Sequence, residues 1–367
     1  MQRKVIILVV ISFTAILPSA FLLSSYLKRL DRFSGQFTRT YINACSNLVA
    51  YNLGFNSFYI AGSFDGNIYL GNKSILPRLL KMSMSMHDTE SVKIDYSVSD
   101  KASRSKYRII VDSPNFHIAY GTSHLILSGW VNSWKADQNK LTIPYFIDCI
   151  PLPSGSLVFR YISANSHENS FRKVTFDNKS VDNSSVLEKQ VDGQICTSGI
   201  LEYNKHLNIL TYLYNYRNQI LILDTNLKLI KSIKTIDDID TVRFTVSQIK
   251  STGQSVITNP TIMVNPRCAT YQQFLLVQSK IMGKKEDDKK FEHSIVIDIY
   301  DISKGEYLYS ISLHNATKSN ISQMKVIDGY LYLMIGKYIQ RYKISLPTKA
   351  GNEIANLVSL SDYKDIN

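Results

Sequence analysis

The sequence contains few cysteines and no metal-binding pattern. Its four cysteines, Cys45, Cys149, Cys196 and Cys268, lie far apart and form no C-x-x-C pair, and no histidine stands at ligand spacing near them. None of the seven histidines belongs to an H-E-x-x-H motif. We therefore expect no metal site and no zinc-protease activity. The redox state of the cysteines stays open, because two disulfides and four buried thiols both fit the sequence.

The motifs of common hydrolases and cofactor-binding proteins are also missing. There is no G-x-S-x-G, and the adjacent Ser123 and His124 would point to opposite faces of a strand, so they cannot pair as nucleophile and base. The glycines of Asn56–Asn72 precede neither G-K-[ST] nor a helix pattern. With only Trp130 and Trp134, the chain lacks the repeated tryptophans of quinone-dependent propellers. We expect no cofactor.

One acidic stretch needs a separate interpretation. Thr235–Asp240 resembles the start of a calcium loop, but it lacks the glycine and the distal glutamate that complete one. We interpret it as a turn. A pair of carboxylates for glycoside hydrolysis would come from distant strands and would leave no local pattern, so the sequence leaves that possibility open.

One long uncharged segment stands near the N terminus. Val5–Leu23 carries no charge and is long enough to cross a bilayer core of about 30 Å. Only four residues precede it and more than three hundred follow, which favours an N terminus inside and the bulk outside the cytoplasm. Pro18-Ser19-Ala20 matches a signal-peptidase site poorly, so an anchor is favoured over a cleaved signal. We expect a membrane-anchored protein on the periplasmic side of the inner membrane.

The rest of the sequence is dominated by strand-forming residues. Runs rich in Ile, Val, Tyr, Phe and Thr alternate with Asp-Gly, Ser-Gly and Asn-Lys turn signals. The nearest candidate for an amphipathic helix, Ile75–Met86, is weakened by Pro77 and interspersed serines. No βαβ pattern is present. The sequence therefore predicts an all-β fold.

A unit of strand, short turn and strand recurs along this region. Its six copies begin at Phe58, Phe116, Phe146, Leu207, Gln273 and Met324. A spacing of roughly fifty residues is typical of four-stranded propeller blades. We predict a β-propeller-like domain of six blades, with a β-sandwich as the alternative. The predicted organisation is an anchor or signal over 1–27, a juxtamembrane stalk over 28–47, the propeller-like domain over 48–346 and a C-terminal tail over 347–367.

The strongest turn signal is Asp65-Gly66, which lies between the strand-like runs around Ile60 and Tyr69. A two-residue Asp-Gly turn is the usual connection of a β-hairpin and requires positive φ angles. We therefore predict that this glycine-containing stretch is a hairpin of the first blade.

Two stretches carry a family resemblance: Asn56–Asn72 followed by Leu76-Pro77, and Leu210–Asp237. They resemble uncharacterised, membrane-anchored, six-bladed β-propeller-like proteins of Bacteroidetes-type bacteria, and the likeness covers most of the chain. The resemblance implies a cell-envelope setting and a propeller-like fold. It implies no reaction and supplies no active residues.

The chain is basic, with 42 Lys and Arg against 30 Asp and Glu, a net charge of +12. Most of this charge is dispersed, and the mixed run Lys284–Lys290 is interpreted as a solvated loop. The basic stretch between the first two units supplies a candidate rim for an anionic partner, with a plain solvated loop as the alternative. The rim comprises Lys101, Arg104, Lys106 and Arg108. No nucleic-acid partner is expected, because packing inside strands explains the aromatic residues.

Three functional hypotheses follow. The first is a membrane-anchored binding or scaffold module that holds a protein or glycan partner through loops around the propeller axis. The second is an extracytoplasmic hydrolase or lyase acting on a glycan or lactone in the central funnel, with residues from several blades. The third is an accessory or sensor subunit of a membrane complex. The missing motifs favour a non-enzymatic protein, and no catalytic residue is assigned.

Overall fold

The structure is a computed structural model. It describes residues 35–347 apart from 74–76, 99–105, 250, 253, 260 and 316–318, and in addition residues 17, 18 and 24. No helix within these ranges is long and apolar enough to cross a membrane. Apart from Leu17 and Pro18, the predicted span Val5–Leu23 lies outside the described residues. The same holds for 28–34 of the predicted stalk and 348–367 of the predicted tail.

Strands make up nearly all of the regular structure within residues 35–347 as described, and the first half of this part forms three antiparallel units of four strands. Strand β1 (Cys45–Asn52) precedes them, and unit 1 consists of β2 (Phe58–Phe64), β3 (Asn67–Asn72), β4 (Arg78–Ser83) and β5 (Thr89–Lys93). After the short strand β6 (Asp95–Tyr96), unit 2 consists of β7 (Arg108–Asp112), β8 (Asn115–Tyr120), β9 (Leu125–Trp130) and β10 (Lys135–Gln138). Unit 3 consists of β11 (Asp148–Leu152), β12 (Ser156–Ile162), β13 (Asn169–Thr175) and β14 (Ser180–Asn183).

The second half repeats this arrangement. Unit 4 consists of β15 (Gly199–Asn204), β16 (Ile209–Tyr214), β17 (Gln219–Leu223) and β18 (Leu229–Lys234), and a separate hairpin of β19 (Val246–Gln248) and β20 (Ser255–Ile257) follows it. Unit 5 consists of β21 (Arg267–Tyr271), β22 (Phe274–Ser279), β23 (Ser294–Asp301) and β24 (Glu306–His314). Unit 6 contains β25 (Ile321–Ile327), β26 (Tyr330–Ile335) and β27 (Tyr338–Ile344).

Strand β1 completes unit 6 as its outermost strand. It pairs antiparallel with β27, from Cys45 opposite Ile344 to Asn52 opposite Tyr338. The first and the last strand of the described residues therefore belong to one sheet. Because β1 begins at Cys45, it also crosses the predicted boundary between stalk and domain at 47/48.

Apolar clusters lie between all neighbouring units. Separate clusters join units 1 and 2, 2 and 3, 3 and 4, 4 and 5, 5 and 6, and finally 6 and 1. Strand β16 shows how one strand serves two clusters, since Tyr212 packs toward unit 3 and Leu213 toward unit 5. Burial on both faces explains the nearly continuous hydrophobic runs. The units thus close into a ring, which is a propeller-like arrangement and not a sandwich.

The predicted Asp65-Gly66 hairpin is confirmed. It connects β2 to β3 with φ angles of 47° at Asp65 and 66° at Gly66. Nearby, β2 also pairs in parallel with β7, and this contact joins units 1 and 2 into one sheet with β6 at its far edge. Gly62 lies opposite Val111 in that pairing, and a Cβ at Gly62 would collide with the Val111 carbonyl oxygen.

Helices are few within the described ranges. A 3₁₀ turn covers Gly121–Ser123, and α1 covers Asp288–Glu292. Asp287 caps α1 by accepting a hydrogen bond from the Lys290 N–H at 2.9 Å. Half of the candidate helix Ile75–Met86 is instead strand β4, and its first two residues lie outside the described ranges.

Residues 35–44 run along unit 5 and are fixed there by the buried Arg39. Its guanidinium donates to Asp298 at 2.7 Å, to Glu286 at 3.0 Å and to Ser279 at 2.8 Å. The Tyr41 hydroxyl donates to the same Glu286 at 2.6 Å. The interpretation of Lys284–Lys290 as a solvated loop is therefore wrong at Glu286, whose side chain is only 8% exposed.

Candidate functional site: the axial channel

One cavity of about 1020 Å³ lies at the centre of the ring. Residues of the first strand of every unit line it, and these strands are β2, β7, β11, β15, β21 and β25. A volume near 1,000 Å³ is at the upper end of the range of small-molecule sites. The channel is therefore the candidate functional site.

Three of the four carboxylates that line the channel form short ion pairs with channel-lining cations. Asp148 pairs with Arg160 at 2.7 Å within unit 3. The other two pairs join units that are not neighbours. Asp112 of unit 2 meets Lys205, which follows β15, at 2.6 Å, and Glu202 of unit 4 meets Lys325 of unit 6 at 2.6 Å.

Two arginines of the lining differ from these paired cations. Arg108 is the first residue of β7 and lies 5.5 Å from the Tyr59 ring centroid. Arg267 is the first residue of β21 and donates from Nε to the Ser322 carbonyl at 2.9 Å. Across the described ranges, no carboxylate lies within 4.0 Å of either guanidinium. Both are therefore available to an anion.

Lys73 adds a third positive charge near these arginines. Its backbone N–H donates to the Ser57 carbonyl at 3.1 Å, which places it beside the start of β2. Partial burial lowers the pKa of Lys73, and repulsion from Arg108 and Arg267 lowers it further. We call the end of the channel that carries Lys73, Arg108 and Arg267 the channel mouth.

The predicted rim and the channel mouth have one residue in common, Arg108. Arg108 lines the channel, and Lys106 is exposed two residues before it. Lys101 and Arg104 lie outside the described residues. Sequence analysis missed Arg267, because the fifth unit was predicted to begin at Gln273 and its innermost strand β21 was not recognised.

Other reactive groups take structural positions. His117 is buried and hydrogen-bonded to the Ser128 hydroxyl at 2.6 Å, and burial lowers its pKa to about 4. Cys149 and Cys268 lie on innermost strands as free thiols, and burial raises the pKa of both. Among the residues that the structure describes, no cluster of His, Cys, Asp or Glu could hold a metal ion.

No family model and no curated protein matches the sequence. Solved structures match its fold. A member of the DUF4221 family from Bacteroides vulgatus has a TM-score of 0.54 at 9% identity, over 84% of this chain and 99% of that one. A streptogramin B lyase has a TM-score of 0.45 at 11% identity, over 82% of this chain and 98% of that one. The chain is β-propeller-like, and the likeness extends to the fold alone.

Proposed function

We propose that the protein is an extracytoplasmic binding module that holds an anionic group of a protein or glycan partner at the channel mouth. The observation that carries this proposal is the contrast within one channel. Three of its carboxylates have a cation partner, whereas Arg108 and Arg267 have no carboxylate partner in the described part of the chain. Two guanidiniums and a nearby ammonium form a site suited to carboxylate, sulfate or phosphate.

The setting is proposed from the sequence. The uncharged Val5–Leu23 span and its position ahead of more than three hundred residues support a membrane anchor with the ring on the periplasmic side. An accessory or sensor role in a membrane complex is compatible with this setting. It predicts that replacing Val5–Leu23 with an unrelated span abolishes partner capture.

A hydrolase or lyase in the channel has less support. Three of the four lining carboxylates already form an ion pair within 2.7 Å, so their side chains are engaged in structural contacts. The binding interpretation needs no such group. It is favoured by the two guanidiniums at the mouth, which have no carboxylate partner in the described part of the chain.

Heparin serves as a polyanionic probe for the mouth. The double variant Arg108→Ser, Arg267→Ser should elute from immobilised heparin at clearly lower salt than the unmodified protein. The matched control is Lys140→Ser, Lys343→Ser, which removes the same charge from two exposed positions. Equal elution of the two variants would show that net charge alone governs binding, and would contradict the proposal. A third variant, Lys101→Ser, Arg104→Ser, Lys106→Ser, tests whether the rim extends the mouth.

A further inference from the structure

A second cavity, of about 640 Å³, lies between units 5 and 6. Its wall combines the end of β22, the start of β25, the segment before β21 and helix α1. Much of the lining is apolar and comes from Ile262, Met263, Phe291, Ile295 and Ile321. This size and lining are typical of small-molecule sites.

Polar residues make up more than half of this lining, with Arg267 of the channel mouth among them, and they are unevenly satisfied. Gln278 is 3% exposed, and its Oε1 has no hydrogen-bond partner. Lys280 donates to the neutral Asn320 side chain at 3.3 Å, and burial lowers its pKa. Within the described ranges no carboxylate lies within 4.0 Å of the Lys280 ammonium. An unpaired buried acceptor and a half-buried, unpaired cation both destabilise an unoccupied cavity.

These groups define a complementary ligand. An anion would pair with Lys280, an N–H donor would satisfy the Gln278 oxygen, and an apolar body would cover the aliphatic and aromatic wall. We infer that the cavity between units 5 and 6 binds a small organic carboxylate with an apolar side chain and an amide N–H. This is the chemistry of an N-acyl amino acid or of an apolar peptide C terminus.

The same wall holds the N-terminal segment. Gly35 donates from its backbone N–H to the Met282 carbonyl at 2.7 Å, and Arg39 donates to the Ile281 carbonyl at 3.0 Å. Met282 lines the cavity, and Lys280 stands two residues before it. A ligand on Lys280 therefore orders the strip on which residues 35–39 dock.

The experiment is titration calorimetry of the full chain with N-acetyl-leucine, with the uncharged N-acetyl-leucinamide, and with a hexapeptide that ends in leucine. The acid should bind, and the amide should bind at least about tenfold more weakly. The Lys280→Met variant should bind the acid more weakly by a similar factor. The Lys285→Met variant, which changes an exposed lysine nearby, should bind it as tightly as the unmodified protein does. Tighter binding of the hexapeptide than of the free acid would identify a peptide C terminus as the source.

Hydrogen exchange gives a second readout, because the ligand should slow exchange at residues 35–39 and 280–284. Absence of binding by both the acid and the hexapeptide, equal binding of acid and amide, or an unaffected Lys280→Met variant would each overturn the inference. Arg267 lines both cavities, but Lys280 lines only the second, so the Lys280→Met variant should keep its salt-dependent elution from heparin. The two proposals can therefore fail independently.

Discussion

Lys325 and Glu202 form an ion pair between units 6 and 4, past the innermost strand of unit 5. The Lys325 ammonium lies 2.6 Å from a Glu202 carboxylate oxygen, and the two side chains are 32% and 15% exposed. This pair, together with Lys205 and Asp112, ties units that share no sheet contact. The channel is thus braced by charge in addition to the apolar clusters between neighbouring units.

Removing the cation of this brace should destabilise the ring. Lys325→Met leaves the Glu202 carboxylate unpaired in a partly buried place, and we expect a loss of about 1–2 kcal/mol in the free energy of unfolding, measured by urea denaturation. Lys81→Met, in the exposed pair with Glu90, serves as the control and should cost under about 0.5 kcal/mol. Equal losses in the two variants would contradict the bracing role.

The Arg39 contact should matter more. The Arg39→Met variant leaves the carboxylates of Asp298 and Glu286 without their cation, and these side chains are only 2% and 8% exposed. We therefore expect a loss of about 3–5 kcal/mol in the free energy of unfolding. Hydrogen exchange should also become faster across residues 35–44. The exposed Lys179–Asp177 pair supplies the control, Lys179→Met, for which little change is expected. Unchanged exchange at 35–44 in the Arg39 variant would show that this residue does not hold the segment.

Asp237 should make stability depend on pH. Burial raises its pKa to about 6, although it accepts hydrogen bonds from Thr235 and Ile239. A carboxyl with a raised folded-state pKa stabilises the fold below its unfolded value near 4, and this contribution is lost as pH rises through about 6. Between pH 4 and pH 7, the free energy of unfolding of the Asp237→Asn variant should therefore rise by about 2–3 kcal/mol relative to that of the unmodified protein. Parallel stability curves for the two proteins would refute this.

Gly62 should tolerate no side chain. Its φ is 152°, and a Cβ there would collide with the Val111 carbonyl in the parallel contact between β2 and β7. The Gly62→Ala variant should lose about 2 kcal/mol or more in the free energy of unfolding. Gly66→Ala is the comparison, because φ there is 66° but no atom lies within 4 Å of an added Cβ, so only conformational strain of about 1 kcal/mol is expected. If the two losses measured by urea denaturation are equal, close approach is not the reason.

Local patterns predicted most of the strands but not their order around the ring. The hairpin at Asp65-Gly66 and the strand–turn–strand pairs of units 4 and 5 follow from runs of strand-forming residues and from turn residues. The innermost strand β21, with the sequence RCATY, is short and carries a charge, so it was missed. The partnership of β1 with β27 joins residues almost three hundred positions apart, and no local pattern reports it.

The channel site was predictable in part for the same reason. Arg108 was found because it ends a basic run, whereas Arg267 stands alone in the sequence and lines the same channel only because the ring closes. The ion pairs Glu202–Lys325 and Asp112–Lys205 likewise join residues 123 and 93 positions apart. The site was not predicted in full because its residues lie far apart in the sequence, and their residue types mattered less.

The pairing of β1 with β27 has a consequence for the order of folding. Residues 45–52 are synthesised early, but their partner strand ends at Ile344, so the sheet that holds them cannot form until nearly the whole chain is available. Such a distant closure is entropically costly and slows folding. Until then β1 presents unpaired strand edges, and the apolar side chains of unit 1 that pack against unit 6 stay uncovered. A chain shortened before β27 would keep units 2–5 and still leave its first strand without a partner, open to pairing with another molecule.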